Sequence, residues 1–465
     1  MILRRYRGRK INGEITVFLA LITSVLTGLI IVLIESARLQ LIRMNVEALM
    51  DTGLTSCFGE YDRKLFDRYD LLFIDSSYRG QGEPGIEGVI DHLKQYMSAN
   101  SDYSETDCLG DWYAESIIEA GSDKWELLSD GSGEVLKYQA SRYIDEYGEI
   151  KYSDAIRTNK AAVDSISEID LIGEWDAVLA AIDGYGMPII NPGKIVREMV
   201  LNEDDYLNSA HLSAVSISDL PSKRSLLSGN GAPDGNRKGN DEAFVEYIMQ
   251  KAGCYTEYTD EQMLRAEIEY IINGQGSDRD NMSYVINRLL KIRESDNLSC
   301  LRADGGRMEA AGIKAEEVTA LCLSDPEGMP DDTLTELVKE SIVYAWAYAE
   351  SAVDVGRLLS GGKCPVNKGS SDIVLGIDDL TDFVSFLNRP GGRGISYKEY
   401  LGVFLEDTDD GIRRLKCMDV IEGNCRIFYN DGLRVDGCVD YLKAAAGLES
   451  GYGYSHTITR ERYYE

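Results

Sequence analysis

The stretch GEITVFLALITSVLTGLIIVLIES, Gly13–Ser36, decides how the rest of this chain is interpreted. No charged residue occurs among the twenty residues from Ile15 to Ile34. As a helix rising about 1.5 Å per residue they span about 30 Å, the thickness of the hydrocarbon core of a bilayer. We therefore predict a transmembrane anchor helix over residues 14–36. Its apolar anchor residues are Ile15, Val17, Phe18, Leu19, Leu21, Leu26, Leu29, Ile31, Leu33 and Ile34.

A basic segment, residues 1–13, precedes the anchor. Its topology-determining residues are Arg4, Arg5, Arg7, Arg9 and Lys10. Positive residues next to a transmembrane helix stay on the cytoplasmic side. The sequence thus predicts a single-pass protein of the cytoplasmic membrane with its N-terminus inside and its large C-terminal part outside.

An apolar N-terminal segment has three possible fates: removal as an export signal, retention as an anchor, or packing as in a pilin. A signal peptide has a shorter apolar region followed by small residues at the cleavage site. Here Glu35-Ser36-Ala37-Arg38 follows, without a clear A-x-A pattern. We therefore predict that the segment is retained as an anchor.

Apolar residues continue beyond the anchor at helical spacing, with no proline and no glycine before Gly53. This pattern predicts one helix from about Ile15 to Cys57, half in lipid and half outside. Two partners could bury its outer half: the chain's own ectodomain, onto which pilin-like proteins pack this part, or a matching helix of a second subunit. The predicted assembly stripe consists of Leu39, Ile42, Val46 and Leu49.

Composition restricts the class of function. The 465 residues carry a formal net charge of −31, and the part after the basic segment is more acidic still. Such a chain is not expected to bind nucleic acid by neutralising phosphates. Hydrophobic residues make up 44% of the chain, which is enough for a folded core.

The nine cysteines all follow the anchor, and no C-x-x-C motif occurs. Their scattered spacing is not typical of a disulfide framework, so we expect buried free thiols. The three histidines are widely separated in sequence. We therefore predict no metal site and no cofactor.

Periodicity predicts an α+β ectodomain that is rich in helices and contains a small sheet. We divide it into a membrane-proximal α+β part at 37–228, an exposed Gly/Asn-rich loop at 229–241, and a helix-rich second half at 242–465. The elements predicted in the first part are a strand at 71–74, a helix from Gly85, a strand at 116–120, and helices over 134–166 and 174–182. In the second part they are a helix ending at Gly253, a strand over 266–272, helices from Ser277, over 334–353, in YKEYLGVFL and in DGIRRLKCMDVIEG, and a terminal strand.

Two patterns invite a chemical interpretation. On a strand, Glu267 and Glu269 would share one face about 6–7 Å apart, a separation used by glycosidase carboxylates, although two glutamates on a wet strand face are far commoner. In Glu406–Gly411 the calcium ligands would be Glu406, Thr408 and Asp410, but no glutamate follows at the required position. We predict no catalytic, cofactor-binding or metal-binding residues, and a protein that is not an enzyme.

Several motifs spread along the chain carry a resemblance: GEITVFLALI, ESARLQ, EYDRKLFDRYDLLFID, LPSKR, EIEYIINGQGSDRDN, AWAYAESAVDVGRLLSG and YKEYLGVFL…LKCMDVIEGN. With them the chain resembles an uncharacterised domain-of-unknown-function family of single-pass surface proteins of Gram-positive bacteria. The N-terminus is similar to the TadE/TadG-like minor pilins of tight-adherence (Flp-type) pili. The resemblance implies a structural or assembly component of a Tad-like pilus or related surface apparatus. Its partners would be the lipid bilayer and other membrane or pilus-assembly subunits.

One departure from the pilin pattern concerns processing. Prepilin peptidase cuts after a glycine, and most pilins then have a glutamate at the fifth mature position. Here Gly13 could be that glycine, but Glu14 follows at once and Phe18 occupies the fifth position. The resemblance therefore implies a minor, tip or assembly-platform subunit, or a permanently anchored protein, rather than a major pilin.

Two other functions stay open: a surface adhesin or ligand-binding module, and an anchored cell-wall hydrolase. A cleft lined by convergent polar groups would favour the enzyme. An exposed apolar stripe on the helix next to the membrane would favour assembly.

Overall fold

The computed structural model describes residues 13–80, 82–101, 115–166, 169–187, 190–235, 237–322, 332–450 and 454–464. The topology-determining residues Arg4, Arg5, Arg7, Arg9 and Lys10 lie outside this described part. The helices are α1 (Gly13–Phe58), α2 (Arg63–Tyr69), α3 (Ile86–Ser101), α4 (Asp130–Glu146), α5 (Ser153–Asp164), α6 (Leu171–Asp183), α7 (Pro192–Glu198), α8 (Asp241–Lys251), α9 (Glu267–Asn273), α10 (Asp278–Ala303), α11 (Gly305–Cys322), α12 (Asp332–Leu359), α13 (Tyr397–Asp407) and α14 (Asp410–Phe428). The strands are β1 (Ile74–Asp75), β2 (Glu115–Leu127), β3 (Lys363–Cys364), β4 (Ile395–Ser396), β5 (Cys438–Ser450) and β6 (Ser455–Tyr463).

Helix α1 is continuous over 46 residues, which confirms the prediction of one helix from the apolar N-terminal segment to about Cys57. Among the described residues it is the one helix that is long and apolar enough to cross a membrane. The predicted anchor residues are all exposed, from 52% for Leu26 to 68% for Ile15. The predicted α+β class is confirmed: a long apolar N-terminal helix leads into a helix-rich domain with a small sheet.

The four-stranded sheet is antiparallel throughout and is organised around β5. Strand β2 pairs with one edge of β5, and β1 and β6 pair with successive parts of the other. In register, Ala446 of β5 faces Ala120 of β2 and Ile458 of β6. Strand β5 thus joins segments from the start and the end of the chain.

One apolar core lies between this sheet and two helices. We call α1 from Arg38 onward, α3 and the four-stranded sheet the helix–sheet module. Gly53 lets α1 approach α3 closely, because a Cβ there would lie 2.9 Å from Leu93 Cδ1 and 3.0 Å from Met97 Cγ. The core residues are Ile42, Val46, Met50 and Leu54 of α1, Val89, Leu93 and Met97 of α3, and Leu127, Val439, Leu442, Ala446 and Ile458 of the sheet.

A second and larger core lies in the helical body, which we define as α2 and α4 to α14 with their connections. Helix α12 runs through its centre and packs on α6, α7, α10 and α11. The predicted apolar stripe of α12 is buried throughout, at Leu334, Val338, Ile342, Ala345, Ala349 and Val353.

The strand predicted over 266–272 is wrong, since this segment forms helix α9. All five residues from Glu267 to Ile271 are buried, so the apolar–polar alternation does not separate a buried face from a wet one. Gly274, at φ +80°, ends the helix in a left-handed conformation that glycine adopts without strain. The helical region predicted over 134–166 consists of two helices, α4 and α5, and the strand predicted at 71–74 is reduced to β1.

The predicted Gly/Asn-rich loop has no helix or strand in its described residues before α8 begins at Asp241. It is held at several points. Arg237 Nη1 lies 2.6 Å from Asp440 Oδ2 and 2.8 Å from Glu126 Oε2, and the Gly229 amide donates to Asp130 at 2.9 Å. The seven cysteines whose side chains are described are free thiols, and all but Cys300 are buried. Burial raises the pKa of Cys57 to about 12. Cys108 lies outside the described residues, as does the side chain of Cys322.

Candidate functional site: the outer half of α1 and a polar cleft

Most of the predicted assembly stripe of α1 is buried within the chain itself. Ile42, Val46 and Leu49 are 2%, 0% and 6% exposed, and Leu39 is half-buried. Of the two partners that the sequence leaves open, the structure provides α3 and the sheet for Ile42 and Val46, and Leu49 is buried within the chain as well. A contact with another subunit stays a prediction, and it concerns Leu39, the stripe residue nearest the anchor.

Polar contacts from the C-terminal strand add to this apolar packing. Arg460 on β6 pairs with Glu47 at 3.1 Å and with Asp51 at 3.3 Å. Near the end of α1, Arg462 Nη1 donates to Thr55 Oγ1 at 2.9 Å, and Tyr464 Oη donates to the Phe58 carbonyl at 2.7 Å. Sheet and helix are therefore joined along the whole outer half of α1.

The loop after α1 is fixed to α3 through a second polar cluster. Glu60 accepts a hydrogen bond from Tyr96 Oη at 2.6 Å, and its other oxygen lies 2.9 Å from His92 Nδ1. The His92 ring stacks on Tyr78 with centroids 3.7 Å apart. These contacts hold the segment that follows α1 in place against α3.

The opposite face of α1 carries large exposed apolar side chains. Ile34, Leu41 and Met44 are 53%, 49% and 67% exposed. Ala37 and Ala48 are exposed on the same face. Our sequence interpretation missed this second stripe because the buried one accounts for the helical periodicity. The signal was present as a repeated spacing of three and four residues from Ile34 to Ala48.

A cleft of about 690 Å³ opens in the helical body, where α2, the end of α8 and the end of α14 meet. Lys398 Nζ on its wall pairs with Glu257 at 3.0 Å, and Lys64 Nζ lies 5.0 Å from the centroid of the Tyr429 ring. The cleft therefore offers cations, carboxylates and aromatic rings within one concave surface. Its charged and aromatic lining residues are Lys64, Asp67, Arg68, Lys251, Glu257, Tyr258, Glu261, Lys398 and Tyr429.

Glu267 lies behind this cleft and is fully buried. It accepts hydrogen bonds from the Gly253 amide at 2.8 Å, from Gln262 at 2.5 Å and from Asn424 at 2.6 Å. Burial raises its pKa to about 7, although these hydrogen bonds act in the opposite direction. Gln262, which also lines the cleft, separates the carboxylate from it.

Glu269 is equally buried, and burial raises its pKa to about 7 as well. Its Oε1 accepts from the Tyr255 amide at 3.0 Å and from Tyr397 Oη at 2.8 Å. Its Oε2 has no hydrogen-bond partner among the described residues. Glu267 and Glu269 lie two residues apart on a helix, so their side chains point in different directions. The structure therefore does not bring them together as a solvent-exposed carboxylate pair.

A buried ionic cluster connects α10, α12 and the segment after β3. Asp354 lies 3.1 Å from Arg293 Nη2 and 2.8 Å from Lys368 Nζ, which also pairs with Glu350 at 2.6 Å. All four side chains are fully enclosed. Although burial by itself would raise the pKa of Asp354, the charges of Arg293 and Lys368 hold it below its ordinary value. Because no solvent reaches the cluster, we assign it a structural role.

The residues of the calcium-like segment are tied into the junction between α13 and α14. Asp410 accepts from Arg413 at 3.1 Å and from Lys137 at 3.2 Å, and Asp407 pairs with Lys160 and Arg288. Within the described ranges, no group of three or more His, Cys, Asp or Glu side chains is arranged to hold a metal ion.

Comparison with known families gives one result. Residues 193–450, more than half of the chain, match the family of unknown function DUF5702. The chain belongs to the DUF5702 family. No curated protein and no solved structure matches it significantly. The DUF5702 match contains the cleft-facing helices α8 and α14, the ionic cluster and strand β5, while α1, α3 and β2 precede it.

Proposed function

We propose that this protein is a membrane-anchored, non-enzymatic structural or assembly component of a Tad-like pilus or a related surface apparatus. Its N-terminus lies in the cytoplasm, and the helix–sheet module and helical body lie outside the membrane. We call the helix–sheet module and the helical body together the head. The observation that carries the proposal is α1, a single helix that contains the anchor and then contributes to the core of the helix–sheet module.

This construction fixes the head to the bilayer. A helix of 46 residues is about 69 Å long, and its outer half contributes Ile42, Val46, Met50 and Leu54 to the core. Burying each such side chain stabilises the contact by about 1.5–3 kcal/mol. The head therefore keeps a set height and orientation, as a subunit in an ordered assembly requires. A wall enzyme that searches for substrate would be better served by a flexible tether.

The orientation and the apparatus rest on the sequence. The cluster of Arg4, Arg5, Arg7, Arg9 and Lys10 favours a cytoplasmic N-terminus by the positive-inside rule. The similarity of the N-terminus to TadE/TadG-like minor pilins supports the assignment to a Tad-like system. Phe18 at the fifth position after Gly13 favours a permanently anchored subunit over a major pilin.

The polar cleft supports a second candidate function, a surface module that binds a small polar ligand. Its volume of about 690 Å³ falls in the range of ligand-binding pockets, and charged and aromatic side chains converge on it. A cell-wall hydrolase receives less support, because Glu267 and Glu269 are enclosed. Titration of the full chain in detergent with soluble wall fragments tests the candidate. Chemical-shift or heat signals that Tyr429→Ala removes would support it.

A complementation experiment tests the proposed function. Deletion of the gene should abolish or strongly reduce assembly of the surface apparatus, counted as filaments by electron microscopy, and the full chain should restore it. A matched variant replaces residues 1–36 with a cleavable export signal and releases the same head. This variant should not restore assembly. Restoration by the released head, or normal filaments in the deletion strain, would contradict the proposal.

A further inference from the structure

The exposed face of α1 carries an uninterrupted heptad pattern. Ile34, Ala37, Leu41, Met44 and Ala48 follow one another at spacings of three, four, three and four residues, and all five are exposed. The buried residues Ile42, Val46 and Leu49 lie on a different side of the helix. A 3.5-residue repeat of apolar residues is the pattern that pairs two helices in a coiled coil. We call these five residues the outer heptad stripe.

The upper residues of this stripe stand in water rather than in lipid. If the hydrocarbon core ends near Ile34, Leu41 and Met44 lie about 10 and 15 Å beyond it. The headgroup layer on each side is only about 5–8 Å thick. Leu41 and Met44 are therefore apolar side chains that neither the bilayer nor the head covers, at 49% and 67% exposure.

The same spacing continues downward into the anchor. Ala20, Thr23, Thr27 and Ile30 precede Ile34 at intervals of three, four, three and four residues. Small and hydroxyl-bearing residues are enriched where transmembrane helices pack, because they let the backbones approach. Thr23 and Thr27 donate to the carbonyls of Leu19 and Thr23 at 2.8 and 2.7 Å, so their hydroxyl protons are satisfied within α1. The continuous stripe from Ala20 to Ala48 is about 42 Å long.

We propose that the outer heptad stripe, with its continuation down to Ala20, binds the same residues of a second copy of the chain. The two helices form a parallel two-stranded coil that runs from the bilayer to Ala48. The proposal deepens the proposed function and rests on its anchor, since copies inserted in one direction bring identical residues to the same height. Because the head packs on another side of α1, the two heads extend to either side of the pair.

The charges beside the stripe fit self-association. In a parallel, in-register pair the flanking positions join Gln40 with Asn45 and Glu47 with Thr52 of the other copy, so no like charges meet. Arg38 also flanks the stripe, but it lies mostly buried and pairs with Glu35 of its own helix at 3.0 Å. The next heptad position after Ala48 is Asp51, where two carboxylates would face each other. The coil therefore ends at Ala48, where Arg460 of β6 reaches Glu47 and Asp51.

Disulfide cross-linking in membranes tests this pairing with closely matched controls. Single cysteines are placed in the full chain by Ala37→Cys and Met44→Cys on the stripe, and by Ser36→Cys and Arg43→Cys one residue earlier on another face. All four positions are exposed. The protein is expressed in a host without a related surface apparatus, oxidised mildly and separated on non-reducing gels, with the unmodified chain as background.

We expect several-fold more product of twice the chain mass for the variants at 37 and 44 than for those at 36 and 43. Equal yields at all four positions would mean random collision and would overturn the proposal, as would yields no higher than background. A product of different mass at 37 and 44 would mean that the stripe binds a host protein rather than a second copy, and would overturn the proposal. Each of these results leaves the complementation test of the proposed function unaffected.

Discussion

The helix–sheet module and the helical body are stabilised in different ways. In the module, α1 and α3 bury aliphatic side chains against the sheet, and the ion pairs of Arg460 with Glu47 and Asp51 lie at the surface. In the body, fully enclosed charges such as Arg293, Asp354 and Lys368 lie within the helical core. Close packing of apolar groups tolerates conservative exchange, whereas a buried ionic cluster tolerates little change in any of its members.

The DUF5702 match covers only part of the body, together with β5. It begins at residue 193, so α1, α3 and β2 of the module precede it, and so do α2, α4, α5 and α6 of the body. Strand β5 connects the two regions, since it follows the last helix of the body in the chain and pairs with β1, β2 and β6 of the module. We infer that the interior of the body tolerates fewer substitutions than that of the module, and that the module connects the body to the anchor through β5.

The largest effect is expected from breaking the ionic cluster. Asp354→Asn leaves Arg293 and Lys368 with one fewer counter-charge in a closed interior, so the free energy of unfolding should fall by about 3–5 kcal/mol. Denaturant unfolding of the full chain in detergent measures it. The control Asp378→Asn changes a carboxylate that is 89% exposed and should have almost no effect. Equal stabilities of the two variants would remove the distinction drawn between the regions.

A cavity in the module should have a somewhat smaller and local effect. Met50→Ala empties a fully buried position on α1 and should cost about 2–5 kcal/mol. Arg43→Ala on the same helix changes a side chain that is 65% exposed and lies off the outer heptad stripe, and should stay within about 0.5 kcal/mol. Hydrogen exchange should accelerate in α1 beyond Arg38 and in α3, but not in α12. Acceleration in α12 as well would show that the two regions open as one unit.

The buried glutamate Glu269 should make the body sensitive to pH. Folding raises its pKa from the ordinary 4.5 to about 7, so between these values the unfolded chain loses a proton that the folded chain keeps. Stability from this group is therefore complete below about pH 4.5, falls as pH rises and levels off above about 7. Glu269→Gln cannot ionise and retains the acceptor for Tyr255 and Tyr397. Relative to wild type, its free energy of unfolding should rise by about 3 kcal/mol across this window. Parallel pH profiles of the two proteins would contradict this assignment.

The smallest effect is expected at the surface of the module. Arg460→Gln removes the pairs with Glu47 and Asp51, whose side chains are 33% and 60% exposed. Such exposed pairs contribute about 0–1 kcal/mol, and less at high salt. A loss that exceeded that of Met50→Ala would mean that charge rather than apolar packing holds α1 to the sheet.

Local patterns predicted the elements that have one dominant periodicity. Helix α1, the stripe of α12 and the terminal strand β6 could be predicted because each repeats its pattern over many residues. Helix α9 could not, because five of its seven residues are buried in succession, from Glu267 to Ile271, and show no amphipathic face. A few alternating residues then indicate a strand.

Contacts between distant segments could not be predicted. The pairing of β2 with β5 joins residues more than 300 positions apart, and no local signal specifies it. The partners of Asp354 could not be predicted for the same reason, since they lie on α10 and after β3, far from Asp354 in sequence. A local signal was present for the cluster itself, since Glu350 and Asp354 interrupt an otherwise apolar helical run at a spacing of four residues.

We propose that one uncleaved helix anchors the head outside the membrane, and tags at both ends of the full chain test this topology. Protease added to intact protoplasts should remove a tag at Glu465 and degrade the chain beyond about Arg38. A tag at Met1 should remain protected, on a fragment that still contains the anchor through Ile34. Protection of the C-terminal tag would show that the chain has the opposite orientation in the membrane. Absence of the N-terminal tag from the membrane-extracted chain before protease treatment would show that the helix is cleaved, and would contradict the account.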